Sequence, residues 1–464
     1  MKRLIKLLAT GTLAAVILPT AVAQKPTPPQ PGPPKPFTVP KAEKFTLPNG
    51  LAITMVPYGT IPKVEIMLAV RAGNLNEAAE QVWLADLTGE LLKEGTKAKT
   101  SEAVDQQFAR MGGRLDVQVT PDQTLISTDV LGEYAPDAAR LLAEVVTTPR
   151  LPASELPRLK ADAQRRLAVA KTQPRQIALE RFRKLLYGDH PYGRVFPTEP
   201  MLAKYAIEDA QKFYAQNFGA TRTHVYVAGK FDPAAVKSAL TQAFAKWTRG
   251  PAPLVNIPKA NARRTFELIE RPGAVQSTLY LGLPVVDPSH ADYIPLQVTN
   301  AMLGGSFISR ITQNIRENKG YTYSPFSQLS ARYRDTYWVE VADVTTAVTG
   351  PSLKEIFGEI DGMRKGPPPA DELARIQRYL SGVFVLQNST REGVIGRLNF
   401  VNLHGLGDDY LSTYVQKVNA VTAAAVHRMA QKYVDPDRMT LVIVGDKPKI
   451  NDQVAPYAQV SMKQ

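Results

Sequence analysis

The chain holds five histidines and no cysteine. Disulfides, a lipid-modified cysteine and every thiolate metal site are therefore excluded. His190, His224, His290, His404 and His427 lie far apart, and none forms the i, i+3 or i, i+4 pair that aims two rings from one helix at one ion. His190 stands in a His-Pro-Tyr-Gly turn and reads as packing. His224 lies in a strand and reads as a hydrogen-bonded core residue. Among the carboxylates, Asp86 and Glu90 sit four apart in Asp86-Leu87-Thr88-Gly89-Glu90 and share one helix face. Carboxylates without imidazole suit a hard cation and make a poor zinc site.

The elements that must position these residues follow from periodicity. Residues 51–56, 64–70, 124–131 and 223–229 read as strands, and a helical pattern runs from about Glu77 to Lys93, with Gly95 just past its end. Long helices follow from about Ala135 and Ala153. Residues 276–282, 336–342 and 439–445 repeat the strands, with helices at 289–303 and from about Pro351 and Ala370. The closing strands begin at Thr223 and Met439, an offset of 216, and the opening strands keep nearly the same spacing. A constant offset of this kind indicates a duplicated unit. The fold class expected is α+β: two homologous domains, residues 43–250 and 263–464, each an antiparallel-rich sheet packed with helices. The loop-like stretch 249–262 joins them.

Residues 45–50 (FTLPNG), Lys93-Glu94-Gly95-Thr96, His190-Pro191-Tyr192-Gly193, Val227-Ala228-Gly229 and Leu303-Gly304-Gly305-Ser306-Phe307-Ile308-Ser309-Arg310 occur in one order. This ordered set resembles the pitrilysin/insulinase family of inverted zinc peptidases, which includes the mitochondrial-processing type, over roughly residues 45–446. The resemblance implies a fold that makes half of a clam-shell. Active members carry His-x-x-Glu-His on the first helix: two imidazoles on one face bind zinc, and the Glu is general base. Here the matching positions are Asp86, Gly89 and Glu90. The family's third ligand, a later Glu, falls at Arg165 or Arg166, and a guanidinium repels a cation rather than ligating it. Pairing of Asp86 or Glu90 with Arg165 or Arg166 is the expected replacement for the metal.

The resemblance also implies a role for residues 315–324, IRENKGYTYS. In the family an Arg and a Tyr seven residues later reach across a chamber to the substrate, and they match Arg316 and Tyr323. A guanidinium can hold a substrate carbonyl, and a phenol can donate to a developing oxyanion. In two-chain members one subunit brings zinc and the other brings this pair. The expectation is a non-catalytic subunit with no cofactor of its own, zinc in a homologous His-x-x-Glu-His partner, and a peptide substrate. A stand-alone peptide-binding scaffold without turnover is the alternative, and an active peptidase with unusual ligands is a third reading.

Lys2, Arg3 and Lys6, an apolar run to Pro19 and Ala21-Val22-Ala23 have the form of a signal peptide, 1–23, cleaved after Ala23. A periplasmic address is expected. Residues 24–42 are so rich in proline that they read as a stiff tether. No later run has the length of a membrane span. The net charge of +13, or +10 without Lys2, Arg3 and Lys6, is spread among acidic residues. That distribution reads as a solvated basic surface and carries none of the basic, aromatic-interleaved runs of a nucleic-acid binder; the basic balance would help draw in acidic peptides.

Overall fold

A computed structural model describes residues 41–458. The expected signal peptide and nearly all of the proline-rich tether lie outside the described residues. Two sheets dominate. The first contains β1 (Glu43–Thr46), β2 (Ala52–Pro57), β3 (Lys63–Val70), β4 (Asp116–Val119), β5 (Thr124–Leu131) and β6 (Thr223–Gly229) in the order β1-β2-β6-β3-β5-β4. The second contains β7 (Thr265–Glu270), β8 (Gln276–Val285), β9 (Phe326–Arg332), β10 (Asp335–Thr345) and β11 (Thr440–Gly445) in the order β7-β11-β8-β10-β9. Without β1, the orders are the same. Each sheet is antiparallel except at one matching pair, β2–β6 and β7–β11. The duplication read from the 216-residue offset is thus a duplication of topology.

The first half carries α1 (Leu84–Leu92), α2 (Ser101–Arg110), α3 (Ala135–Thr147), α4 (Leu156–Ala170), α5 (Pro174–Tyr187), α6 (Glu199–Lys204), α7 (Ile207–Asn217) and α8 (Pro233–Phe244). The second carries α9 (Tyr293–Leu303), α10 (Thr349–Lys365), α11 (Ala370–Gln387), α12 (Arg391–His404), α13 (Tyr410–Asn419), α14 (Ala423–Tyr433) and α15 (Lys447–Ala458). Among the described residues no helix is long and apolar enough to cross a membrane.

Strand residues of period two face opposite sides, and both faces of each sheet are buried. Ile53, Met55, Ile66, Leu68, Val225 and Val227 join the large core with α3 and α8. The alternate residues Val56, Met67, Tyr226 and Ala228 meet Val394 and Ile395 of α12. The second sheet is treated in the same way. Tyr280, Tyr337, Val339, Val442 and Val444 pack on Ala178, Phe182 and Leu186 of α5. Each half therefore lends one helix to the other half's sheet.

The exchange is tied at both helix starts. Arg175, second residue of α5, donates to Asp343 of β10 at 2.6 Å. Arg391, first residue of α12, forks onto both oxygens of Asp129 in β5 at 2.9 and 3.1 Å. Hairpin tips meet as well: Asp122, between β4 and β5, accepts from the Tyr333 backbone N–H and the Tyr192 hydroxyl. Gln123 and Asn399 exchange two amide hydrogen bonds.

Candidate functional site

The helix expected from Glu77 begins later, at Leu84. Trp83 interrupts the pattern with a left-handed backbone, φ +69°, a conformation bulky residues seldom adopt. Its indole N–H donates to the Val195 carbonyl at 2.9 Å, and its ring meets Phe196 edge-on. Glu77 becomes the cap of α1 instead of its first residue. Its Oε1 accepts from the Ala85 backbone N–H at 2.8 Å and from the Asn74 amide at 3.1 Å. Burial pushes its carboxyl up to about 8, against these donors.

Asp86 accepts from the same Asn74 amide at 2.8 Å. Burial raises its carboxyl above the ordinary range, while the Asn74 donor and the nearby Arg166 charge pull it down. Glu90 pairs with Lys93 on its own helix, and Arg165 pairs with Asp162 on its own helix. Arg166 lies over the Trp83 ring, 5.5 Å from its centroid. The expected ion pairing of Asp86 or Glu90 with Arg165 or Arg166 is therefore not formed. Partners three residues away on the same helix are nearer, and the reversed backbone at Trp83 presents a ring to Arg166.

Gly89 has a packing reason. A Cβ there would lie 2.8 Å from Val119 Cγ2 on β4, closer than carbon atoms pack. The position expected to match a general base is closed by a strand. Zinc does not fit this residue set: it offers two carboxylates, each already engaged, beside guanidinium groups. Among the described residues no group of three or more His, Cys, Asp or Glu is arranged to hold a metal ion.

His224 and His190 behave as structural residues. His224 sits between the Thr54 hydroxyl at 2.8 Å and the Asn402 amide at 2.6 Å, stacked on Tyr226, and burial lowers its pKa to about 4. His190 accepts the Tyr192 N–H and packs against that ring, with Nε2 3.2 Å from the Asn256 carbonyl oxygen.

Arg316 and Tyr323 are brought together. Residues Thr312–Asn318 form a π-helix, a geometry often found at functional sites. Arg316 stands between two rings, with its guanidinium carbon 4.6 Å from the Phe307 centroid and 4.8 Å from that of Tyr323. It also contacts Glu317 at 3.1 Å. Thr322 is turned inward, its hydroxyl donating to the Asp343 carbonyl at 2.7 Å, so its neighbour Tyr323 faces out and is 79% exposed. Phe307 and Ile308 are exposed beside it. Arg310 anchors the preceding turn by two 2.7 Å bonds to Glu372 of α11. Gly304 is required because a Cβ would fall 2.5 Å from Glu340 Oε2. Glu340 is fully buried, and its carboxyl is held far above the usual range by desolvation. Phe307 and Trp83 are only faintly marked in the sequence. Their signal was an aromatic in a motif loop or just ahead of a motif helix.

Two family models match: "Insulinase (Peptidase family M16)" over residues 56–196 and "Peptidase M16 inactive domain" over residues 205–380. The chain belongs to the M16 peptidase family, the pitrilysin/insulinase family its motifs resemble. It is 24% identical over 398 residues to an uncharacterized zinc protease of Bacillus subtilis, covering 85% of this chain and 96% of the relative. A Streptomyces coelicolor protein described in the same terms is 22% identical over 425 residues, covering 89% and 92%. Among solved structures, a peptidase M16 inactive domain from Pseudomonas fluorescens superposes with TM-score 0.81 at 23% identity, covering 87% of this chain and 98% of that one. A protease from Helicobacter pylori gives TM-score 0.81 at 20% identity, covering 88% and 100%. These likenesses establish the α+β fold of two helix-packed sheets.

Proposed function

We propose that this chain is the metal-free subunit of a two-chain M16 peptidase, lending Arg316 and Tyr323 to peptide held against a zinc-bearing homologous partner. One contrast carries the reading. The ligand positions Asp86, Glu90 and Arg166 and the base position Gly89 cannot do metal chemistry, whereas Arg316 and an outward Tyr323 stand ready to donate. The two rings hold the guanidinium in place, which lowers the entropy lost when it meets a carbonyl. An exported, periplasmic chain that begins at Gln24 is part of the same proposal.

The test is co-purification with a homologous chain carrying His-x-x-Glu-His, followed by peptidase assays of each chain alone and of both together. This chain alone is expected to cut nothing and the mixture to cut unstructured peptides. Arg316→Ala and Tyr323→Ala should each lower turnover by about 10²–10³ without preventing assembly. Full activity of the double variant would remove the chemical role. Peptide retention with no partner and no turnover would favour the stand-alone scaffold.

A further inference from the structure

The two crossing ion pairs occupy matching places in the duplicated sheets, yet their surroundings differ. In the second sheet Asp343 stands opposite Thr278 across β10 and β8, and the Thr278 hydroxyl donates to it at 2.5 Å. In the first sheet the residue opposite Asp129 across β5 and β3 is Glu65. An ionised carboxylate has no proton to donate to another. Asp129 is served instead by Arg391 and, at 2.5 Å, by Lys63. Glu65 is left over: among the described residues it makes no hydrogen bond or ion pair, although it is only 9% exposed. Burial first, then Glu392 and Asp129, push its carboxyl up to about 7, and Arg391 pulls it down. A buried carboxyl of this kind is costly to ionise without a partner.

Glu65 lies on the floor of a groove of about 670 Å³ between β3, β4, β5 and the turn that opens α12. Directly opposed strand residues share a face. Ser127, opposite Met67, and Asp116, opposite Ser127, therefore continue the face that carries Glu65 and Asp129. The Ser127 hydroxyl makes no hydrogen bond among the described residues. The other charges on the groove are answered. Arg391 and Lys63 are both committed to Asp129. Glu392 meets the positive end of α12 from its first turn, and Arg114 and Asp116 stand exposed together on the rim. Among the described lining residues, Glu65 is the buried carboxylate left with no cation.

We propose that this groove binds an organic cation, a primary ammonium or a guanidinium, which Glu65 receives, with the Ser127 hydroxyl on the same face as a second acceptor. Such a group brings the donor that Thr278 provides at the matching place, and it balances the charge of a buried carboxylate. A metal ion does not suit the groove, because among the described residues no group of three or more His, Cys, Asp or Glu is arranged to hold one. The site is complete within this chain and needs neither Arg316 nor Tyr323. Two sources carry this chemistry: a Lys or Arg side chain of a peptide, and a free diamine.

Calorimetric titration of the full chain at about pH 8, where Glu65 is ionised, tests the site with two cations and two neutral counterparts. One cation is 1,4-diaminobutane, and its counterpart is 1,4-butanediol. The other is a peptide of about ten residues, acetylated and amidated at its ends, whose single charge is a Lys; its counterpart has Gln there. At least one cation should bind about tenfold more tightly than its counterpart, as expected for a charge-assisted pair. The tighter of the two identifies the source. Glu65→Gln should erase that advantage. Glu65→Thr, which copies the arrangement at Thr278, should erase it too, with a melting temperature at or above that of the unaltered chain. Equal binding of each cation and its counterpart to the unaltered chain overturns the proposal without any variant. So does an advantage that survives either substitution.

Discussion

Helix α1 of the first half and its counterpart α9 in the second are both largely buried, but α1 carries two carboxylates, Asp86 and Glu90, and α9 carries none. In α9, Ile294, Leu296, Val298, Ala301, Met302 and Leu303 are buried. Its polar groups are spent internally: the Asn300 Oδ1 accepts from Trp338 and Ser327, and the Thr299 hydroxyl donates to the Pro295 carbonyl. The strand order around the two helices is the same, so topology alone makes no site. A few polar side chains on one helix face decide what chemistry each copy of a duplicated scaffold can offer. The pair proposed to meet the peptide, Arg316 and Tyr323, lies elsewhere in the second half, on the π-helix and the segment that follows it.

The comparison can be broken most severely at the lent helices. Phe182 of α5 packs between Tyr280 and Tyr337, with ring centroids 5.8 and 5.4 Å away. Phe182→Ala should cost about 3–5 kcal/mol in urea unfolding. If α12 is lent on equal terms, Ile395→Ala should cost about 2–5 kcal/mol. A negligible loss at either site would mean that the exchange does not stabilise the chain. Next in size is Gly89→Glu, which forces a side chain into Val119 and should destabilise by about 1–3 kcal/mol. The same change at an open helix position such as Gly358, where a Cβ meets nothing within 4 Å, should be nearly neutral or stabilising.

The two crossing ion pairs should differ in a way that sharpens the comparison. Removing Arg391 leaves Asp129 with Lys63 still beside it. Removing Arg175 leaves Asp343 with only the Thr278 hydroxyl on its side chain. Arg175→Ala should therefore cost more, about 1–2 kcal/mol against roughly 1 kcal/mol or less for Arg391→Ala. Thermal melts of the two variants in one buffer give the order. A further prediction concerns pH. Glu77 has a folded pKa near 8 against an ordinary 4.5. Its contribution to stability is thus present below about pH 4.5 and lost as pH rises through about 8. Glu77→Gln keeps both hydrogen bonds and should flatten the decline of the melting temperature across that window. An unchanged slope would assign the decline to other groups.

The strands buried on both faces were legible because continuous apolar runs survive any context, and Val225 to Ala228 or Leu441 to Val444 can hardly be anything else. The edge strands β1, β4, β7 and β9 were not, since short edge segments gain their hydrogen bonds only from a neighbour distant in sequence. The lent helices were invisible for a related reason. Periodicity shows that α5 and α12 each have an apolar face, and says nothing about which sheet receives it. Arg316 with Tyr323 could be singled out through the motif around them. Phe307, the second ring on Arg316, could not, because the pairing depends on how the π-helix turns.

The sequence by itself determined the duplication, through its constant offset, and the absence of imidazoles at Asp86 and Glu90, because residue types at fixed helical spacing set what chemistry is available. Tertiary structure decided what fills the vacated position. It put Trp83 in a left-handed turn, set Arg166 over its ring, drew Glu90 to Lys93 and pressed Val119 against Gly89. Those outcomes depend on distances of a few ångströms between segments far apart in the chain, and no local pattern encodes them.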